Sequence, residues 1–350
     1  MSRQQRKLDH ITNALQTGQS RSTLLDEVNF VHQSLPNSSV EHVSLHSKMG
    51  ELSLSSPIFI NAMTGGGGKE TLEWNQKLSV IARECGLALA VGSQMAALRS
   101  REERESYAIV RKENPTGFIM GNLGSEATVD QAKEAVEMLE ANALQIHLNV
   151  IQELAMPEGD RDFKGALERI QRISDELSVP VIVKETGFGM SQDTIQKLNE
   201  TSISAIDIGG FGGTNFAKIE NLRRPRALDF FHEWGVPTAV SLLEAAAVNP
   251  SKTIIASGGI QNALDVLKCL SLGAKFVGIA GVVLKHVKDN GIEDTVSFLH
   301  EWHEDLRFMM CAVGAHEIDD LSAAPLIYGE NIDRWLRQRG MDSVEMSYRR

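Results

Sequence analysis

The chain has 350 residues, of which 42% are hydrophobic, and it carries a formal net charge of −11. A chain of this length and composition can bury a large core, and we expect one domain rather than two. The acidic balance, with no basic stripe to offset it, argues against nucleic acid or an anionic membrane surface as the main partner. An anionic small molecule can still bind, because a pocket can be locally positive.

The cysteines and the N-terminal sequence bear on location. Cys85, Cys269 and Cys311 are far apart and show no C-x-x-C spacing, which predicts reduced thiols with neither a metal site nor a disulfide framework. The first residues, MSRQQRKLDHITNAL, lack an apolar segment of signal-peptide length, and no stretch approaches the roughly 18 apolar residues of a membrane span. We therefore expect a cytoplasmic protein without a membrane partner.

Residues 1–56 are predicted to form an N-terminal extension. Arg3, Arg6 and Lys7 precede a short helical pattern, and taken alone such a terminal basic cluster is usually a solvated face. Residues 28–54 alternate apolar and polar positions with many serines, which predicts loops or a small hairpin beneath the main domain. Residues 57–350 are predicted to form that domain and a C-terminal helical tail.

From Pro57 onwards, short apolar runs alternate with amphipathic segments, which favours a parallel sheet. The predicted strands are residues 57–61, 87–91, 118–121, 144–149, 180–185, 205–208, 253–257 and 275–279. Helical patterns between them include residues 71–85, 128–141, 163–177 and 191–200. A further apolar run at residues 237–240 is poorly spaced for a barrel strand, and we assign it to a long excursion after the sixth strand. The expected fold is α/β, a (β/α)8 TIM barrel with an N-terminal extension.

Residues 253–281, TIIASGGIQNALDVLKCLSLGAKFVGIAG, are typical of a strand, a helix and a second strand. Each strand ends in small residues, Gly258-Gly259 after the first and Ala280-Gly281 after the second. Backbone N–H groups at such ends are open to an anion, and many (β/α)8 barrels bind phosphate after strands seven and eight. The alternative is that these glycines only make tight turns. Their pairing late in an α/β chain favours a site for a phosphorylated cofactor.

Other strand ends carry groups that suit such a cofactor. Lys184 ends the fifth strand and is expected to point into the barrel mouth, where it can form a Schiff base or hold a cofactor as a point charge. With Asn122 and the phosphate site, it favours flavin mononucleotide (FMN), whose pyrimidine edge needs hydrogen-bond donors. The run DIGGFGGTNF lacks both the dinucleotide fingerprint and a Walker lysine. We expect it to fold across a flat ligand and to offer the Thr214 hydroxyl, although a plain flexible loop is the alternative.

The run QIHLNVIQE places His147 and Asn149 on one side of a strand, with Gln152 and Glu153 just beyond it. One carboxylate together with amides and water is a plausible site for Mg²⁺, which keeps several waters and bridges to substrate phosphates. The alternative is a hydrogen-bonded His–Glu pair at the start of a loop.

Taken together, the motifs RKLDH, NAMTGG, VGSQ, QIHLNVIQE, VKETGFG, DIGGFGGTNF, IIASGGI and GIAG resemble those of the type II isopentenyl-diphosphate isomerases. They run from Arg6 to Gly281. The resemblance implies an enzyme of isoprenoid biosynthesis that interconverts isopentenyl and dimethylallyl diphosphates without net oxidation. It also implies a requirement for Mg²⁺ and for reduced FMN, with NADPH as the usual reductant, and a homo-oligomer, either a tetramer or an octamer.

The resemblance assigns roles to individual residues. The family's FMN contacts are similar to Ala62, Met63, Thr64, Ser93, Asn122, Lys184, Thr214, Gly258, Gly259, Ala280 and Gly281. Its substrate and diphosphate contacts match Arg6, Lys7, Ser93, Gln94, His147, Asn149 and Gln152, and its metal ligand matches Glu153. Met95 departs from the family, since some members carry a basic residue there; Arg99 or the group Arg223, Arg224 and Arg226 is then expected to supply the charge. The excursion at residues 211–236 is a candidate lid.

The chemistry is consistent with this assignment. Protonating an unactivated alkene and removing a weakly acidic allylic hydrogen exceed what a histidine or carboxylate does alone, since general acid–base help is worth about 10²–10⁴-fold. We therefore expect reduced FMN to act as acid and base, with His147 and Gln152 in support. One competing hypothesis is an FMN-dependent 2-hydroxy-acid oxidoreductase, which needs a histidine base placed with arginines that we do not find between strands six and seven. Another is a non-catalytic flavoprotein or a binding module, which would leave Arg6, Lys7, Gln152 and Glu153 without a use.

Overall fold

The computed structural model describes residues 23–49 and 52–348. Its centre is a closed barrel of eight parallel strands in the order β10-β11-β4-β5-β6-β7-β8-β9. These strands are β4 (Ile58–Ile60), β5 (Ala88–Ala90), β6 (Ile119–Gly124), β7 (Ala143–Leu148), β8 (Val181–Glu185), β9 (Ala205–Asp207), β10 (Thr253–Ser257) and β11 (Phe276–Ile279). The predicted α/β barrel and its eight strands are confirmed, with boundaries that differ by a few residues.

Most helices follow the barrel strands and form the outer layer, and the last two belong to the C-terminal tail. They are α1 (Gly68–Cys85), α2 (Met95–Arg99), α3 (Glu105–Glu113), α4 (Val129–Leu139), α5 (Val150–Ala155), α6 (Ala166–Glu176), α7 (Gln192–Asn199), α8 (Phe216–Asn221), α9 (Thr238–Val248), α10 (Ala263–Ser271), α11 (Gly281–Ala312), α12 (Glu330–Gln338) and α13 (Ser343–Tyr348). Helix α11 contains a kink at Gly291, whose backbone is not helical. Short 3-10 turns lie at Leu25–Glu27, Val40–His42, Arg101–Glu103, Asp229–Phe231 and Ile318–Ala323. No helix in these described ranges is both long enough and apolar enough to cross a bilayer.

The long excursion expected after the sixth barrel strand is present. Residues 208–237 separate β9 from α9, and Pro237 makes an isolated parallel bridge with Phe211 before the helix begins at Thr238. The apolar run at residues 237–240 is therefore the start of a helix that is buried along most of its length. A buried helix and a buried strand can both appear in a sequence as a continuous apolar run, which explains why this segment could be considered as a further strand.

The barrel strands alternate between an inner and an outer core. Phe59 packs inside the barrel with Met120, Ile182 and Phe276, whereas its neighbours Ile58 and Ile60 belong to the layer between strands and helices. This alternation follows from the period of two along a strand. Alanines from β5, β7 and β9 fill other positions of the inner cluster, and polar side chains line the cavity at the C-terminal ends of the strands.

Elements from both ends of the chain close the fold. An antiparallel hairpin, β2 (Ser47–Met49) with β3 (Leu52–Leu54), places Met49 against the inner barrel cluster. The hairpin predicted for residues 28–54 is thus present and covers the barrel floor. Strand β1 (Val28–Phe30) pairs with β12 (Leu326–Tyr328), which ties the N-terminal part of the chain to the C-terminal tail.

Candidate active site

A cavity of about 530 Å³ opens at the C-terminal ends of the barrel strands. Every barrel strand or the loop just after it contributes to its lining, from Asn61 after β4 to Ala280 after β11. Its volume lies in the range of about 300–1,000 Å³ that is usual for small-molecule sites. Active sites of (β/α)8 barrels lie at this face, so the cavity is the candidate active site.

Small residues after β10 and β11 form one side of the cavity. Gly258, Gly259, Ala280 and Gly281 all line it, and β10 and β11 are neighbours in the barrel. Helix α11 begins at Gly281, so its first backbone N–H groups and the positive end of its dipole lie at the lining. An anion such as a phosphate fits this arrangement.

The two glycines after β10 also serve a packing purpose. Gly258 and Gly259 have φ of +101° and +77°, and a Cβ on Gly258 would lie 2.0 Å from the carbonyl oxygen of Gly210. A Cβ on Gly259 would lie 2.8 Å from Gly212. The loop after β10 therefore packs directly on the glycine-rich loop after β9. From the sequence, these two glycines could either make tight turns only or line a binding site. In the structure they do both.

Hydrogen-bond donors line other parts of the cavity wall. Lys184 lines the cavity with only 7% of its surface exposed, and its Nζ donates to the backbone oxygen of Glu185 at 2.7 Å. The predicted FMN contacts Ala62, Met63, Thr64, Ser93, Asn122 and Thr214 also line the cavity. The wall thus combines a buried cation, an amide and hydroxyls with an anion-binding end. This donor set fits a flavin with a phosphate tail.

The buried carboxyl group of Glu185 stabilises the loop that follows β8. It accepts a 2.5 Å hydrogen bond from the backbone N–H of Phe188. Burial is the largest influence on this group and raises the pKa of Glu185 to about 8, while hydrogen bonds from Phe188 and the nearby Lys184 charge act in the opposite direction.

The groups predicted to bind the diphosphate and metal lie on the far side of the barrel mouth. His147 lies near the end of β7 and Asn149 directly follows this strand, which stands opposite β11 in the ring of eight strands; Gln152 and Glu153 lie on α5. All four residues line the cavity. Glu153 accepts hydrogen bonds of 2.8 Å from Asn149 Nδ2 to Oε1 and from the Asp160 N–H to Oε2. Burial raises the pKa of the Glu153 carboxyl, and these two hydrogen bonds partly counteract the effect.

The described residues contain no group of three or more His, Cys, Asp and Glu side chains that could hold a metal by themselves. A single protein carboxylate is nevertheless compatible with Mg²⁺, which takes the rest of its ligands from water and substrate phosphates. Glu153 therefore fits a shared protein–substrate metal site.

Two of the four arginines considered as extra charge reach the cavity. Arg99 and Arg223 line it. Arg223 pairs with Glu220 at 2.8 Å and with Glu158 at 2.5 Å, so part of its charge is already balanced. Arg224 donates instead to the backbone oxygens of Ala155 and Arg226. Neither Arg224 nor Arg226 is part of the lining.

Gln94 stands apart from the other predicted contacts. Its side chain is fully buried and does not line the cavity; it donates to the carbonyl of Ala135 at 2.9 Å and accepts from the N–H of Asn122 at 2.9 Å. These bonds tie β5, β6 and α4 together, so we give Gln94 a structural role and leave it out of the diphosphate site. Arg6 and Lys7 lie outside the described residues.

The excursion after β9 borders the cavity. Thr214, Phe216 and Arg223 from this segment belong to the lining. The segment also holds a histidine, His232, but its ring bonds to Asn221 at 2.7 Å and does not line the cavity. The lid role stays a prediction.

A chain of polar side chains crosses the barrel at the bottom of the cavity, and it was not predicted from the sequence. Its members are Ser257, Asp207, Asn61, Gln145, Asn122 and His147, joined by side-chain hydrogen bonds of 2.6–3.1 Å. The alternation of side chains along β7 could have revealed part of this chain, because Gln145 lies on the same side of the strand as His147 and Asn149. Register explains the remaining contacts, since Asn122 is the neighbour of Gln145 across β6 and β7.

Relatives match this chain over its whole length. The isopentenyl-diphosphate delta-isomerase of Bacillus pumilus is 54% identical over 349 residues, which cover 100% of this chain and 98% of that protein. The protein of the same name from Bacillus cytotoxicus is 56% identical over 349 residues and is covered completely. The chain belongs to the isopentenyl-diphosphate delta-isomerase family.

This member of the isopentenyl-diphosphate delta-isomerase family also matches a family model described as FMN-dependent dehydrogenase, over residues 81–327. That range covers most of the barrel and the cavity wall, which agrees with the donor set described above. The predicted FMN dependence is thereby confirmed.

Solved structures resemble the chain at the level of fold. A mandelate oxidase with (S)-2-phenylpropionate matches with a TM-score of 0.66 at 16% identity, covering 93% of this chain and 97% of that chain. A lactate oxidase from Pediococcus acidilactici matches with a TM-score of 0.67 at 15% identity, covering 93% and 94%. Likeness at this identity shows the shared barrel alone. The full-length sequence identity places the chain with the isomerases and not with these oxidases.

Proposed function

We propose that this chain interconverts isopentenyl diphosphate and dimethylallyl diphosphate by a 1,3-allylic proton shift, with FMN as cofactor and Mg²⁺ at the diphosphate. The observation that carries the proposal is that one cavity joins the anion-binding loops after β10 and β11 to the group His147, Asn149 and Glu153 on the opposite side of the barrel. Two anionic ends, a cofactor phosphate and a substrate diphosphate, can thus be held at separate places around one mouth. The full-length family relationship supports the same activity.

The residues around the anion-binding loops would hold the cofactor. The backbone at Gly258, Gly259 and Gly281 would take the phosphate, and Lys184 would place its charge against the acceptor edge of the ring system. When bound, reduced FMN supplies the proton donor and acceptor beside the alkene. The predicted contacts Ala62, Met63, Thr64, Ser93, Asn122, Thr214 and Ala280 complete this proposed set.

The residues around β7 and α5 would hold the substrate. Glu153 would bind Mg²⁺, and the Asn149 amide at 2.8 Å fixes the orientation of its Oε1. His147, Asn149, Gln152 and Ser93 would contact the diphosphate, together with Arg6 and Lys7. Met63, Met156, Phe216 and Leu284 put apolar groups on the wall, which suits the five-carbon tail and keeps water away from it. The protein's own contribution is thus positioning and charge neutralisation.

Three finer expectations belong to the same proposal. NADPH is the proposed reductant of the flavin. A homo-oligomer, tetramer or octamer, is the proposed assembly, which light scattering coupled to size-exclusion chromatography tests directly. A cytoplasmic location is the third.

The test of the activity is an anaerobic assay. The purified protein with FMN, Mg²⁺ and NADPH is mixed with isopentenyl diphosphate, and dimethylallyl diphosphate is followed with the flavin oxidised and with it reduced. We expect product only with reduced flavin and no stoichiometric consumption of NADPH. Tight FMN binding without product under these conditions would contradict the proposal.

The same preparation distinguishes the competing activity. If a 2-hydroxy acid reduces the bound flavin in the absence of NADPH, the chain acts as an oxidoreductase like its structural neighbours. If neither substrate is turned over while FMN stays bound, the chain is a non-catalytic flavoprotein.

A further inference from the structure

Near one end of the polar chain, hydrogen bonds hold the Asp207 carboxylate in a fixed orientation. Both oxygens of the buried Asp207 accept hydrogen bonds: Oδ1 from Ser257 Oγ at 2.6 Å and from the N–H of Gly209 at 3.1 Å, and Oδ2 from Asn61 Nδ2 at 2.8 Å. A carboxylate offers only acceptors. Asn61 must therefore turn its NH₂ group towards Asp207 and its oxygen away from it.

A second contact holds Asn61 in the same orientation. Its Oδ1 accepts the backbone N–H of Ala62 at 2.8 Å, and a backbone N–H can only donate. The same Oδ1 accepts Gln145 Nε2 at 3.1 Å. Asp207 and the Ala62 N–H thus independently require that Oδ1 of Asn61, and not its NH₂ group, faces Gln145.

The orientation is then passed along the chain. Because Gln145 donates its NH₂ to Asn61, it presents Oε1 to Asn122, whose Nδ2 donates to it at 3.1 Å. Asn122 consequently presents Oδ1 to the ring of His147, whose Nδ1 lies 2.9 Å away. An amide oxygen can only accept, so the proton of this bond belongs to His147 Nδ1.

We propose that Gln145, held by Asn61 and Asp207, is a positioning residue that fixes His147 in the tautomer with the proton on Nδ1. The hydrogen bond of one ring nitrogen decides the state of the other, so neutral His147 has Nε2 as its acceptor nitrogen. Gln145 itself is fully buried and is not part of the cavity lining. It reaches His147 through Asn122.

This tautomer has a consequence for substrate binding. A neutral ring with an acceptor at Nε2 cannot donate a hydrogen bond from that atom to a diphosphate oxygen, whereas a ring with both nitrogens protonated can. The arrangement would make His147 bind the diphosphate as a cation. This use of the tautomer rests on the proposed function, whereas the tautomer itself does not.

Nitrogen-15 NMR of the FMN-loaded protein with labelled histidines tests the proposal without substrate. The chain has 10 histidines, so the His147 signals are identified by their loss in the variant His147→Asn. Spectra are recorded at increasing pH until this ring is neutral. We expect the Nδ1–H tautomer alone. A ring that carries its proton on Nε2 would overturn the proposal, whatever the outcome of the isomerase assay.

Two variants test the role of Gln145. Gln145→Met keeps the length of the side chain and removes its hydrogen bonds, which frees Asn122 to turn over; we expect the single tautomer of His147 to become a mixture of both. Ser257→Ala is the matched control, since the N–H of Gly209 still holds Asp207 Oδ1 and the tautomer should stay unchanged. An unaltered Nδ1–H signal in Gln145→Met would refute the proposed role. If that variant does not fold, the wild-type spectrum still tests the proposed tautomer, and a proton on Nε2 of His147 would refute the proposal.

Discussion

Asn149 Nδ2 donates a 2.8 Å hydrogen bond to Oε1 of Glu153, one turn further along the chain at the start of α5. The partly buried carboxylate is thereby held with its second oxygen bonded to the N–H of Asp160. This orientation is made by the chain itself, so it is available before any metal binds. Loss of either partner should therefore affect metal affinity more than folding.

The first prediction concerns this pair. Glu153→Gln keeps the shape of the side chain but removes the charge that Mg²⁺ requires, and Asn149→Ala removes the orienting amide. We expect Asn149→Ala to weaken Mg²⁺ activation by about 10–100-fold, as loss of a partner behind a metal ligand usually does, and Glu153→Gln to weaken it further. The measurement is activity against Mg²⁺ concentration after treatment with a chelator. Glu137→Gln, on the exposed face of α4, is the control, and an equal effect there would refute the assignment.

The barrel was predictable because local pattern and global fold agree. Each barrel strand is a short run of buried apolar residues followed by a small or polar residue, and the intervening segments have helical spacing. The strand ends then meet at one face, so most predicted contacts come together without knowledge of any tertiary detail. The run at residues 237–240 shows the limit of this reasoning, because its burial hides the difference between strand and helix.

The interior of the site was less predictable. Gln94 follows a strand end like Ser93, yet the loop backbone turns its side chain towards Ala135 and away from the cavity. Gln145 lies inside β7, Asp207 ends β9 and Asn61 directly follows β4, and which of these polar side chains meet depends on the register between strands. Register and loop direction arise from contacts between segments that are distant in sequence, which a single sequence does not display.

The second prediction concerns Lys184. Replacing its buried ammonium by methionine keeps the apolar stem and removes the donor, so we expect weaker binding of FMN with little change in the unfolding midpoint of the FMN-free protein. A lost hydrogen bond to a charged group is worth about 1.5–3 kcal/mol, which corresponds to a roughly 10–100-fold rise in the FMN dissociation constant. Fluorescence titration of the FMN-free protein measures it. Lys197→Met, on the exposed side of α7, should leave FMN affinity unchanged.

The third prediction separates backbone strain from loop packing. Gly258 and Gly273 have φ of +101° and +104°, but a Cβ at Gly258 would meet the oxygen of Gly210 at 2.0 Å, while one at Gly273 would have no neighbour within 4 Å. Gly273→Ala should cost about 1–3 kcal/mol of unfolding free energy from strain alone. Gly258→Ala should cost more and should also reduce FMN affinity, since the loop after β10 must move. Equal losses of stability and unchanged FMN binding in both variants would show that the loop contact is unimportant.

The last prediction concerns the stability of the barrel floor at low pH. His303 on α11 is buried, and its Nε2 lies 2.8 Å from Oγ of Ser56, the residue that leads into β4. Burial, followed by the nearby charges of Arg307 and His300, lowers the pKa of His303 to about 4. The unfolded chain takes up this proton near pH 6.5, whereas the folded chain resists it down to about pH 4. The stabilisation by neutral His303 is therefore complete above about pH 6.5 and is lost as the pH falls towards 4, by about 3 kcal/mol at most.

His303→Gln keeps a polar partner for Ser56 without a titrating group, and we expect its unfolding free energy to fall less between pH 7 and pH 5 than that of the wild type. Urea unfolding at the two pH values measures the difference, with the exposed His316→Gln as the control. The same decrease in stability with pH in His303→Gln and in the wild type would mean that other groups govern the acid sensitivity of the fold.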